Sequence, residues 1–218
     1  RDSSTSRGLG DVYKRQIFIP LAEQAGRIKD IDTIVLKKSL SWLSHRIQNG
    51  LKVVPVAVNI SPNHFYDKNF LRDFKAIVAS FDVPLNYLKL ELTESIELVD
   101  FTRAKQLLSE LKQMGIDCSI DDFGVGFSSL SYLPKLPFSE IKIDSSFVSA
   151  INDIGMYAVI QTIIQLAINL QMRAVAEGIE TLEQYIMLKN MGCHIGQGYF
   201  LHKPMPFEVA NALLDTLE

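Results

Sequence analysis

The 218-residue chain is 47% hydrophobic and 22% charged, which suits one sizeable domain with a substantial core. Its net charge of −3, with no block of like charges, excludes the electrostatic footprint of a nucleic-acid partner. Cys118 and Cys193 lie outside any CxxC pair and exclude a disulfide framework, so they read as reduced, buried thiols of a cytoplasmic domain, and no apolar run is long enough to span a membrane.

In chain order, "IPLAEQAGRIKDIDTIVLKKSLSWLSHRIQ" carries apolar residues at helical spacing, with Ile31, Ile34, Val35 and Leu36 on or near one face. "VVPVAVNI" follows as a buried strand, then a helical stretch to about Phe81 and a strand "LKLEL". A helix near 100–114, a strand "DCSID", a strand "EIKID" and the amphipathic helix "AVIQTIIQLAINL" come next. The strand "MRAVAE", a helix near 181–190 and a short strand around "QGYF" complete the pattern. Alternating helices and continuous apolar strands predict an α/β fold with a parallel sheet covered by helices.

Polar residues recur just past these strands: Asn59, then Glu91 and Glu94, then Asp121 and Asp122, then Lys142 and Asp144, then Glu177 and Glu180, then Gln197. In a parallel barrel, all strand ends share one rim. A doubly wound sheet would use only the two or three ends at its switch point. Six polar strand ends therefore favour the barrel. Ordinary turn chemistry accounts for Asn59, but less well for a Lys and several Glu within apolar strands.

Asn59, Glu91, Asp121 and Asp122 are oxygen donors of the kind that hold Mg²⁺ or Mn²⁺. Adjacent aspartates suit two metals, one carboxylate bridging while its neighbour binds the second ion, an arrangement suited to phosphoryl transfer. Lys142 would then orient a water or neutralise phosphate charge, and Glu177 would take a proton from that water or complete a metal's shell. The competing reading of the adjacent Asp121 and Asp122, followed by Gly124, is a solvated turn. His45, His64, His194 and His202 lack zinc-site spacing, "GVG" lacks a dinucleotide fingerprint, and Trp42 reads as core.

Several stretches, in order from Phe18 to Met205, together resemble the EAL-domain family, bacterial phosphodiesterases that hydrolyse the second messenger cyclic di-GMP to linear pGpG. They are "FIPLAEQAGRI", "VAVNIS", "LKLELTES", "SIDDFGVGFSSLSYLPKLPFSEIKIDSSFV", "AVAEGIET" and "MGCHIGQGYFLHKPM". The resemblance implies a TIM-like (β/α)8 barrel with two metals at its rim. Asn59, Glu91 and Asp121 would hold one, with Asp121 bridging and Asp122 serving the other. Lys142 would stand near the nucleophilic water, Glu177 at metal and water, and Gln197 by metal-bound water or phosphate. Glu94 would brace the loop after Asp122, and Glu180 would complete the surrounding network. A homodimer, an upstream sensory or cyclase domain and a membrane-anchored parent protein are further expectations.

The chain departs from the family pattern at Val125 and Phe127, where the loop ordinarily has hydroxyl-bearing residues. The family's first two strands, with the Glu-Ala-Leu signature and a phosphate-binding arginine, should precede "FIPLAE". In their place stands "RDSSTSRGLGDVYKRQ", and residues 1–16 are expected to be non-native, leaving 17–218 as a partial domain. A catalytically weak module that only binds cyclic di-GMP, and a barrel phosphohydrolase with another substrate, are the alternatives.

Overall fold

The computed structural model describes residues 18–94, 100–126 and 130–216; the segment expected to be non-native lies outside them. Six strands form one sheet: β1 (Val56–Asn59), β2 (Leu88–Thr93), β3 (Asp117–Phe123), β4 (Glu140–Ile143), β5 (Arg173–Ala176) and β6 (Ile195–Gly196). Every neighbouring pair is parallel, and the spatial order β1 to β6 follows the chain order. A doubly wound sheet would reverse direction at a switch point, and this one does not. The described strands are thus consecutive staves, all ending on one rim.

After a helical stretch at 18–24, the described residues form helices α1 (Ile28–Gln48), α2 (Pro62–Phe65), α3 (Phe70–Ala79), α4 (Phe101–Gln113), α5 (Ser145–Ser149), α6 (Ile154–Asn169), α7 (Leu182–Asn190) and α8 (Phe207–Thr216). Their starts are written locally. Asp100 and Asp153 accept the backbone N–H three residues on, at the heads of α4 and α6, and Thr181 with Gln184 forms a reciprocal capping box on α7. No helix among the described residues is long and apolar enough to cross a membrane.

The strands alternate more than continuous apolar runs would. In β2, Leu88, Leu90 and Leu92 are fully buried with Leu107, Leu108 and Leu111 of α4, while Lys89, Glu91 and Thr93 take the other face. In β4 all four residues are buried, Ile141 and Ile143 alternating with Glu140 and Lys142. The second face therefore carries charge at two levels. Near the strand starts, Glu140 Oε1 meets Lys89 Nζ at 2.6 Å and Arg173 Nη2 at 2.8 Å, and Arg173 also reaches Asp117 at 3.3 Å.

Three expectations need correction. The inner face of α1 is Ile28, Asp32, Leu36, Leu40, Leu43 and Arg46, whereas Ile34 and Val35 are exposed, because the stripe follows i, i+4 and then i, i+3 steps through two charged residues. Strand β1 begins only at Val56, after Pro55, which has no N–H for the ladder. Around "QGYF" the chain turns: Ile179 N–H bonds Gln197 O at 3.1 Å and Phe200 N–H bonds Ile179 O at 2.9 Å, so the last strand precedes that stretch.

Helix α8 packs back on α1. Trp42 packs edge-on against Phe207 with centroids 5.6 Å apart, and its Nε1 donates to Asn211 Oδ1 at 2.9 Å. The buried Arg46 donates to the same Asn211 oxygen at 3.0 Å and pairs with Asp215 at 2.5 Å.

Candidate active site at the strand ends

Lys142 sits at the centre of the rim. It lies on β4, only 4% exposed, and its Nζ contacts Glu91 Oε1 of β2 at 2.8 Å, Asp121 Oδ1 of β3 at 2.8 Å and Glu177 Oε1, just past β5, at 2.6 Å. Burial alone would lower the ammonium's pKa, but the three carboxylates together outweigh it and raise it. One cation thus serves three anions drawn from three strands.

Asn59 ends β1 in register with Glu91, and its Nδ2 donates to Glu91 Oε2 at 3.1 Å. Asp122 has a left-handed backbone (φ 53°), a conformation that short polar side chains tolerate, and one ligand atom each from Asp121, Asp122 and Glu177 lie within 4.8 Å of one another. Burial, then the charges of Asp121 and Asp144, hold the Asp122 carboxyl above its usual range. Burial likewise raises Glu177, against the pull of Lys142. Asp144 goes the other way: burial would raise it, but its bonds to Ser146 as cap of α5 and to Asp122 prevail and lower it.

This donor set fits a divalent cation. Asp121 Oδ1 and Glu177 Oε1 are buried and, with Glu91 Oε1, share the single ammonium of Lys142, three carboxylates against one cation. Buried carboxylate oxygens left this way are costly, and hard oxygen donors so gathered suit a hard cation. An acidic group able to hold a metal is present.

The loops around this cluster lean on one another. Buried Glu94 accepts the N–H of Gly124 at 3.0 Å and of Gly126 at 3.3 Å through Oε2, bracing the loop after Asp122. Val125 of that loop is exposed, and Phe127 lies outside the described residues. Gly198 passes so near the next loop that a Cβ there would stand 2.2 Å from the backbone of Ile179. Not every expected residue joins the cluster. The side chains of Glu180 and Gln197 are exposed; among the described residues their bonds are through the backbone, Glu180 N–H to Gln184 Oε1 at 2.8 Å and Gln197 to Ala176 and Ile179. Asp144, a rim residue given no role from sequence, does join it, and its place two residues after Lys142 was the signal.

A family model described as EAL domain matches residues 5–204. The chain belongs to the EAL domain family. This EAL domain is 35% identical over 192 residues to the oxygen sensor protein DosP of Escherichia coli, covering 88% of this chain and 24% of that protein. It is 35% identical over 191 residues to the cyclic di-GMP phosphodiesterase PA2567 of Pseudomonas aeruginosa, covering 86% of this chain and 32% of the relative. The chain therefore spans about a quarter to a third of the length of these multidomain relatives. Among solved structures, the PaMucR phosphodiesterase in complex with c-di-GMP superposes with a TM-score of 0.86 at 35% identity, over 90% of this chain and 80% of that one. The EAL domain's six parallel strands are accordingly part of a TIM-like barrel.

Proposed function

We propose that this EAL domain hydrolyses cyclic di-GMP to linear pGpG, with Asn59, Glu91, Asp121, Asp122 and Glu177 holding two divalent cations, Mg²⁺ or Mn²⁺. The observation that carries the reading is the excess of carboxylates around Lys142 on the rim, in a chain whose relatives include a named cyclic di-GMP phosphodiesterase. The chemistry a divalent cation supplies in such a cradle is Lewis acidity, which withdraws charge from phosphodiester oxygens and acidifies a water.

The chain's own groups supply the rest. Lys142, held as an ammonium by its carboxylates, is a fixed positive charge for the phosphate or the attacking water rather than a base. Glu177, at the edge of the cluster, is the carboxylate that takes the proton from that water. Glu94 keeps the following loop against the rim. A homodimer, and a sensory or cyclase domain in a longer parent, belong to the same proposal.

The test is chromatography of cyclic di-GMP incubated with the chain and Mg²⁺ or Mn²⁺. Appearance of pGpG that is abolished by Glu177→Ala supports the reading. Undiminished product from that variant removes Glu177 from the chemistry, and micromolar binding without product over a long incubation makes the chain a binding module.

A further inference from the structure

Asp32 stands out on the buried stripe of α1, where its neighbours at i−4 and i+4 are Ile28 and Leu36. Its residue is only 6% exposed, and a carboxylate there needs strong compensation. Asp32 Oδ2 accepts the Ser61 N–H at 2.9 Å and the Ser61 hydroxyl at 2.8 Å, and lies 3.2 Å from His64 Nδ1. Ser61 in turn caps α2, its Oγ accepting the His64 N–H at 3.3 Å. This is no nucleophile arrangement, because the hydroxyl is bonded to the carboxylate and not to the imidazole.

The consequence lies two residues upstream. Between Asn59 and Ser61 stands only Ile60, whose N–H bonds Glu91 O at 3.0 Å. The three-residue segment is therefore clamped on both sides, to β2 through Ile60 and to α1 through Ser61. Asn59, the last residue of β1, is its polar tip, donating to Glu91 Oε2 at 3.1 Å. The geometry points to Asp32 as a positioning residue for the metal site: acting through Ser61, it fixes the carboxamide of Asn59 beside Glu91. The inference rests on the proposed role of Asn59 as a ligand. Groups that orient ligands from behind change metal affinity by roughly 10- to 100-fold when removed.

The test is Mn²⁺ binding by calorimetry with the full chain, without substrate. Asp32→Ala is expected to weaken Mn²⁺ binding about tenfold, and Asp32→Asn, which keeps one carbonyl oxygen as acceptor, to restore most of the loss. In an Asn59→Ala background, Asp32→Ala should have no further effect on affinity. Leu36→Ala, one turn further along the same stripe and without a polar group, controls for lost stability. If Asp32→Ala binds Mn²⁺ as tightly as the parent, or if its effect simply adds to that of Asn59→Ala, the inference is overturned. If Asn59→Ala itself leaves affinity unchanged, the ligand assignment beneath it fails instead. Should Asp32→Ala not fold, Ser61→Ala alone and combined with Asn59→Ala decides by the same criteria.

Discussion

Lys142 shows how a buried charge can be held by what surrounds it. Its ammonium is almost wholly shielded from water and survives because Glu91, Asp121 and Glu177 converge on it. Lys142→Met should destabilise the metal-free chain by about 3 kcal/mol, since three carboxylates lose their partner; added Mg²⁺ should recover part of that in thermal unfolding. An unchanged melting temperature would mean that the cluster does not depend on Lys142. The raised carboxyls give a pH dependence. Asp122 and Glu177 bind protons more tightly folded than unfolded, so their stabilising contribution is full below the ordinary carboxylate range and is lost as pH rises through their raised values. Asp144, lowered, contributes above the ordinary range and loses its contribution only as pH falls through its depressed value. Between weakly acidic and neutral pH the raised pair dominates this balance. Because protons and metal compete for the same oxygens, the rise in melting temperature on adding Mn²⁺ should grow across that interval. A shift of constant size would show that Mn²⁺ does not meet these carboxyls.

At the scale of elements, the rim is a row of loops that hold one another. Glu94 is the clearest case, a side chain closing β2 that accepts two amides from the loop after β3. Glu94→Ala should expose the amides of Gly124 and Gly126 to hydrogen exchange while leaving the strand amides protected. It should cost about 2 kcal/mol and lower turnover; unaltered protection would mean that the loop is held by something else. The strands and most helices were legible in the sequence because short apolar runs and helical spacing of apolar residues are local signals. The ligand candidates at the strand ends were legible for the same reason, since parallel strands bring their last residues together. The side chains of Glu180 and Gln197 were placed by resemblance to a motif, and the geometry leaves them outside the cluster. The partnership of Asp32 with Ser61 joins residues 29 apart and has no local periodicity, although a charged residue on an apolar stripe was the available clue.

At the scale of the whole molecule, α8 returns to α1, 159 residues and more after it in the chain. Trp42, the chain's one tryptophan, stands at that junction and reports on it. Asn211→Ala removes the acceptor shared by Trp42 and Arg46 and should cost about 2 kcal/mol, with Trp42 fluorescence shifting to the red as water reaches the indole. Unshifted emission would show that α8 does not depend on this bond. The sheet itself has two unlike ends. At the strand starts, Lys89 and Arg173 balance Asp117 and Glu140; at the strand ends, Lys142 is outnumbered. An anionic dinucleotide approaching the metal-free rim meets repulsion, whereas a dication meets attraction. On the proposed function, the imbalance favours cations arriving first and the phosphodiester after them, so that metal supply would gate ligand entry.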